Sequence, residues 1–201
     1  MRNIAVLDAV KRPGIGSVDG PAGSFQYELN NLWTPDTELA KSCVLDLVSP
    51  LYNPGAQPKI FDRSGKNNHG TLSGPTWVRL PSGLWALNFD GNDKVLVSNH
   101  VSLQIVDTLT LMLAVKLDDL ANYYCLIGKI TADGAAYEYA LFTNATGEMI
   151  FQFSDAGGVN RAVTSTAMGL LAATQYDIAV TFSDAANNVA FYKNGNWIED
   201  K

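Results

Sequence analysis

The sequence predicts an all-β sandwich preceded by an extended N-terminal arm, and three observations support that expectation. Short apolar runs recur every ten to fifteen residues from Val44 onward, separated by Asp, Asn, Gly and Ser, which is the spacing of strands joined by turns. Many of these runs alternate: Trp85, Leu87 and Phe89 share one face of their run, as do Ile178, Val180 and Phe182 of theirs, the period of two of a half-buried strand. The acidic residues divide into 15 Asp and 5 Glu, with 16 Asn beside them. Glu favours helices, whereas Asp and Asn favour turns.

In chain order, residues 1–41 read as an arm or linker and residues 42–201 as the domain. Gly and Pro between Lys11 and Ser24 forbid a long helix or a central strand there. Beyond them Phe25, Tyr27 and Leu29 alternate and, with Leu32 and Trp33, are too apolar for a merely solvated linker. This segment is expected to dock by strand addition, in its own subunit or in the next one. Strands are then expected at Val44–Val48, Thr76–Leu80, Leu84–Phe89, Lys94–Ser98, Leu109–Leu117, Tyr123–Ile130, Tyr137–Phe142, Glu148–Phe153, Asn160–Thr164, Tyr176–Phe182, Asn188–Lys193 and Asn196–Glu199. Asn194-Gly195 tolerates the positive φ angles of a type I′ hairpin turn, and Ala145-Thr146-Gly147 makes a longer hairpin loop. Only Ala167–Ala173 looks capable of a helical turn. The core is expected to hold Phe89, Val95, Leu111, Leu113, Ile127, Phe151, Ile178, Val180 and Phe191.

Composition bounds the function. The chain has 201 residues, 47% of them hydrophobic and 17% charged, enough for one domain whose core needs no disulfide or metal to hold it together. Its 14 basic and 20 acidic residues give a net charge of −6, with no basic run longer than Lys11-Arg12. Nucleic-acid binding needs clustered Lys and Arg and is not expected. Neither a signal peptide nor a membrane-inserting segment is read, since Asp8 breaks the only apolar stretch near the start. Cys43 and Cys125, 82 positions apart, are expected to be buried free thiols.

Four stretches, DRSGKNNHGTL (Asp62–Leu72), ALNFDGNDKVLV (Ala86–Val97), LTLMLAVKL with LIGKI following (Leu109–Ile130) and YDIAVTFSDAANNVAFYKNGNWI (Tyr176–Ile198), fall in an order that resembles a laminin G-like, concanavalin A-like jelly-roll domain. The resemblance spans Asp62 to Ile198, and VLDLV looks like the family's first strand. It implies an antiparallel concanavalin A-like β-sandwich. It also implies loop Asp residues that hold Ca²⁺, for which Asp62, Asp90, Asn92 and Asp93 are the positions, since Ca²⁺ takes six to eight oxygens. No cofactor is required otherwise. This chain departs from the family pattern in stopping soon after Asn194-Gly195, before a closing strand, and in carrying its long arm without a secretion signal.

Read as residues, His69 is a hydrogen-bonded turn histidine, with His100 the only other His in the chain. A retaining glycosidase needs two carboxyl groups about 5 to 5.5 Å apart, and neither Glu138 nor Glu148 has an acidic companion on its strand, so no catalytic residue is named. Tyr123, Tyr124 and Tyr137, beside loops, are candidates for a sugar-stacking platform, while most other aromatics belong to the core. The sequence therefore predicts a non-catalytic binding or structural module: a homo-oligomer or larger assembly joined through Phe25, Tyr27, Leu29, Leu32 and Trp33, with a glycan as the candidate ligand. Its expected setting is a virion or cell-surface assembly, such as a phage or virus decoration or fibre protein. A glycoside hydrolase or lyase of the glucanase type is the alternative.

Overall fold

The structure is a computed structural model that describes residues 3–6, 42–50, 53–105, 107–130, 137–154 and 158–201. Among these, fourteen strands follow in the order β1 (Asn3–Val6), β2 (Lys59–Ile60), β3 (Gly70–Ser73), β4 (Thr76–Arg79), β5 (Trp85–Phe89), β6 (Lys94–Val97), β7 (Thr108–Lys116), β8 (Tyr124–Ile130), β9 (Tyr137–Thr143), β10 (Met149–Ser154), β11 (Asn160–Ser165), β12 (Gln175–Ser183), β13 (Asn188–Lys193) and β14 (Asn196–Asp200). A single 3-10 turn, Val101–Leu103, interrupts them. The strands build three sheets, of order β14-β13-β12-β7-β1-β5-β4, β11-β10-β9-β8 and β2-β3-β6, and every pairing is antiparallel.

Alternation decides which side of each strand is buried. In β7, Leu109, Leu111, Leu113 and Val115 turn inward, and β12 adds Ile178 and Val180, β13 Val189 and Phe191. The four-stranded sheet answers with Tyr139 and Leu141 from β9 and Met149 and Phe151 from β10, and Met168 and Leu170 close the end of the layer. This one cluster is the sandwich core, and Phe151 at its centre stacks on Phe153 with ring centroids 5.6 Å apart. Of the residues expected in the core, Leu111, Leu113, Phe151, Ile178, Val180 and Phe191 are fully inside. Ile127 is half-buried against the cluster, and Phe89 and Val95, near the sheet ends, are half-buried too.

The hairpins form by the chemistry expected of them. Asn194 and Gly195 have φ 53° and 77°, the two positive angles of a type I′ turn. Gly147 has φ 74°, and a Cβ there would lie 2.4 Å from the Leu170 carbonyl oxygen, so only glycine lets that loop pack.

Elsewhere the structure corrects the sequence reading. Val44–Val48 is not a ladder strand but a single bridge, Leu47 opposite Asp62. Ala167–Ala173 takes no helical turn, because Gly169 and Ala173 sit at φ 51° and 55°; Leu170 N–H is bonded to Gly147 O and Ala173 N–H to Leu117 O instead. The short strands β2 and β3 were not foreseen. Cys43 and Cys125 are free thiols as expected, but Cys125 is exposed. A register shift between Cys125 and Ile127 leaves it on the outer side of its sheet, opposite Phe142. Asn3–Val6, which the sequence placed within the arm, forms a strand inside the seven-stranded sheet, whereas Phe25, Tyr27, Leu29, Leu32 and Trp33 lie outside the described residues.

Neighbouring residues on opposite faces of β7 give a direct check. Leu111→Ala should cost about 2–5 kcal/mol of unfolding free energy, while Met112→Ala should change it by no more than about 0.5 kcal/mol. Urea denaturation of the two variants reads both values, and equal losses would contradict the face assignment.

Candidate functional site

The polar residues that the sequence singled out are mostly consumed by the fold. Asp62 Oδ1 accepts the N–H groups of Asp46 at 2.8 Å and Ser64 at 2.9 Å, and Oδ2 accepts the Ser64 hydroxyl and the Asn68 N–H, each at 2.8 Å. The Asp62 N–H donates to His69 Nδ1 at 3.0 Å, so His69 is the turn histidine expected of it. Asn68 extends the network by donating from Nδ2 to Val44 O at 2.6 Å and to Ser102 Oγ at 2.9 Å, and Arg63 pairs with Asp46 at 3.3 Å. Burial works against the Asp62 charge, but the bonds from Asp46, Ser64 and Asn68 outweigh it and hold the carboxyl below its usual pKa. Both oxygens are thus engaged by protein donors.

Asp90, Asn92 and Asp93 lie together on the β5–β6 turn, apart from that network. Asp93 Oδ2 accepts the Asp90 N–H at 2.9 Å and Asp90 Oδ1 accepts the Asn92 N–H at 3.3 Å. Asp93 also packs on Gly74, where a Cβ would lie 1.8 Å from its Oδ1. These carboxylates shape the turns. Among the described residues, no group of three or more His, Cys, Asp and Glu side chains is placed to hold a metal ion.

Each described glutamate is likewise bonded into structure. Glu138 pairs with Lys129 at 2.5 Å. Glu148 accepts from Asn144 Nδ2 at 2.6 Å and from the Thr146 hydroxyl at 2.8 Å. Glu199 on β14 accepts from Ser165 Oγ at 2.5 Å, from the Ala167 N–H at 3.0 Å and from Lys201 Nζ at 2.8 Å, tying the edge of one sheet to the end of the other. Desolvation opposes the Glu199 charge, yet these bonds and the Lys201 ammonium bring its pKa down to about 2. A groove of about 430 Å³ lined by Gly55, Ala56, Gln57, Pro58, Leu72, Gly74, Pro75, Thr76 and Trp77 has no ionisable side chain in its wall.

The aromatic candidates separate. Tyr123 is half exposed; its ring lies 4.9 Å from Phe142 and its hydroxyl accepts from Gln152 Nε2 at 3.3 Å, on the side of the four-stranded sheet turned away from the core. Tyr124, next in sequence, packs against the core and donates its hydroxyl to Asp119 at 2.5 Å. Tyr137 opens β9, with its side chain outside the described residues. The structure therefore does not join Tyr123 and Tyr124 into one platform.

A better platform lies on the outer face of the seven-stranded sheet. Met112 is paired with Ala179, Ala179 with Tyr192 and Tyr192 with Trp197, so the four form one rung across β7, β12, β13 and β14. Met112 is 67% and Trp197 59% exposed, where alternation would ordinarily place polar side chains. Trp197 Nε1 donates to Asp200 Oδ1 at 2.9 Å, which steadies the indole, and Asn196 lies beside it. Ile198 packs on the core and its neighbour Trp197 faces outward; two adjacent apolar residues do not by themselves tell which turns inward.

Fold and surface together define an all-β sandwich with an outward aromatic rung. No protein-family model matches the chain, and no curated protein matches it in sequence. Among solved structures it is similar to the botulinum neurotoxin serotype G binding domain, with a TM-score of 0.50 and 16% identity over 71% of this chain and 36% of that one. A second structure of the type G receptor-binding domain gives 0.45 and 14% over 74% and 37%. An S-layer domain-containing protein from Clostridium thermocellum gives 0.48 and 18% over 77% and 71%. The likeness is one of fold, and the chain spans about a third of the neurotoxin structures. Among the described residues, no helix is long and apolar enough to cross a membrane.

The carboxylate anchors make two expectations. Asp62→Ala strands three backbone N–H groups and a hydroxyl and should cost about 3 kcal/mol, read by urea denaturation. For Glu199 the folded pKa lies below the ordinary 4.5, so its contribution is fully present above about pH 4.5 and is lost as pH falls toward 2. The stability gap between the native chain and Glu199→Gln should close over that window, and a constant gap would show that the charge is idle.

Proposed function

We propose that this chain is a non-catalytic binding module that presents the Met112–Ala179–Tyr192–Trp197 rung to a glycan and works as a repeated subunit of a surface assembly. The exposed, hydrogen-bond-steadied indole of Trp197 in line with Tyr192 is the observation that carries it. Aromatic faces receive the apolar faces of pyranose rings, and the Asp200 carboxylate beside the indole suits sugar hydroxyls. The order of the four sequence motifs and the sandwich they build support the laminin G-like, concanavalin A-like resemblance, and the apolar residues Phe25, Tyr27, Leu29, Leu32 and Trp33 of the N-terminal arm, a departure from that family, support a setting in a virion or cell-surface assembly. The hydrolase alternative is disfavoured because glycosidic cleavage needs two cooperating carboxyl groups, whereas Glu138, Glu148 and Glu199 are spent on separate structural bonds.

Screening against an array of plant, bacterial and animal glycans, followed by calorimetry on the best binder, tests the reading. Trp197→Ala should weaken that binding about tenfold, the size of one stacking contact, with little change in melting temperature. Tyr123→Ala should leave the affinity unchanged. Binding indifferent to Trp197, or no glycan bound at all, would overturn the platform.

A further inference from the structure

Trp197 and Asp200 lie three residues apart on β14, so strict alternation would send them to opposite faces of the sheet. A bulge reverses that. Phe191 is opposite Glu199 and Tyr192 opposite Trp197, which leaves Ile198 as the extra residue of the edge strand, and an extra residue re-aims the side chains beyond it. Asp200 thereby joins the indole on the outer face, where its Oδ1 accepts the Trp197 Nε1–H at 2.9 Å. Among the described residues its Oδ2 takes no hydrogen bond. Asp200 also heads a second outer rung, opposite Ala190 and in line with Thr181 and Thr110.

The charge beside the aromatic rung has one sign. On the far side of the rung from Asp200, the outer face carries Asp177, opposite Ala114. The cations nearest in sequence turn away: Lys193 donates to Met168 O, and Lys201 pairs with Glu199, whose carboxylate reaches Ser165 of the facing sheet. Alternation puts Lys116 on the outer face of β7, but it lies four residues from Met112 and three strands from Trp197. At about 3.3 Å per residue and 4.8 Å per strand, that is roughly 20 Å from the indole. Salt screens charges over about 10 Å, so Lys116 does not offset Asp200.

We propose that the rung selects glycans that carry free amino groups, with a sugar ring stacked on Trp197 and its ammonium bonded to Asp200 Oδ2. The inference rests on the glycan-binding reading above and names the ligand class of the same site. An ammonium is attracted by the face of an aromatic ring, most strongly by Trp, and gives a carboxylate a charge-assisted hydrogen bond. A hydroxyl or an acetamido N–H can donate to Asp200 but brings no charge to either partner. Carboxylated or sulfated sugars meet Asp200 as a like charge.

Calorimetry on the full chain tests it with two short oligosaccharides of equal length, one of glucosamine and one of N-acetylglucosamine. The amine form should bind at least about tenfold more tightly, the worth of one hydrogen bond to a charged group. That preference should vanish when the pH is raised until the amines are neutral. Asp200→Asn keeps an oxygen for the indole N–H and removes the charge, so it should bring the ratio of affinities close to one while the acetylated chain binds as before. Asp118→Asn removes the same charge from an exposed site on the β7–β8 loop and should leave the ratio unchanged.

Equal affinities, tighter binding of the acetylated chain, or a ratio that falls as far in Asp118→Asn as in Asp200→Asn would overturn the selection. Binding of neither oligosaccharide, while the array yields a neutral glycan that depends on Trp197, would remove the selection and leave the platform standing. An array without any bound glycan would remove both.

Discussion

The nine-residue antiparallel pairing of β7 with β12, from Gln175 opposite Lys116 to Ser183 opposite Thr108, is the constraint on which the rest of the molecule depends. Side chains on a strand alternate strictly, so this one register decides which half of each strand meets the four-stranded sheet. It sends Leu111, Leu113, Ile178 and Val180 inward and leaves Met112 and Ala179 outside. β13 and β14 then inherit the same choice on one side, which aligns Tyr192 and Trp197 with Met112. On the other side β7 offers its second edge to β1. A slip of one residue would exchange the core for the outer rung at every position at once.

Polar chemistry is spent on a different task. The sheets need little help from charged groups, but the irregular connections carry backbone donors with no ladder to satisfy them. Asp62 gathers the N–H groups of Asp46, Ser64 and Asn68, Asn144 receives those of Thr146 and Glu148, and Asp93 receives that of Asp90. The Asp62 carboxylate, so occupied, is stabilised as an anion and has few lone pairs to spare. The richness in Asp and Asn therefore reflects turns that must be closed, and the same residues look like metal ligands or catalytic acids when only their spacing is visible.

This is also where the sequence was legible and where it was not. The long strands were readable because their alternation is local: β5, β7, β12 and β13 announce themselves within nine residues, and Asn194-Gly195 within two. Val44–Val48 was misread because an apolar run does not reveal whether a ladder partner exists, and here the partner is the Asp62 turn. The NIAV segment of β1 has no turn signal and no alternation long enough to distinguish it from the rest of the arm, and its pairing depends on strands more than eighty residues away. Tyr123 and Tyr124 were grouped because both adjoin a loop, but successive residues entering a strand point to opposite faces. The same rule sets Trp197 and Ile198 on opposite faces, but only the packing of Ile198 on the core tells which of the two turns outward.

Strand order separates the aromatic rung from the interior of its own sheet. From Trp197 on β14 to the slot of β1 the sheet crosses β13, β12 and β7, four inter-strand steps of about 4.8 Å, or roughly 19 Å. The indole end of the rung is held by its own anchors: the Asn194-Gly195 turn, the Trp197 bond to Asp200 and the Glu199 tie to Ser165 and Ala167. None of these involves β1. The seven-stranded sheet thus holds an aromatic face at its edge on bonds of that edge alone, with β7, which carries Met112 on its outer face and pairs with both β12 and β1, as the element common to edge and interior.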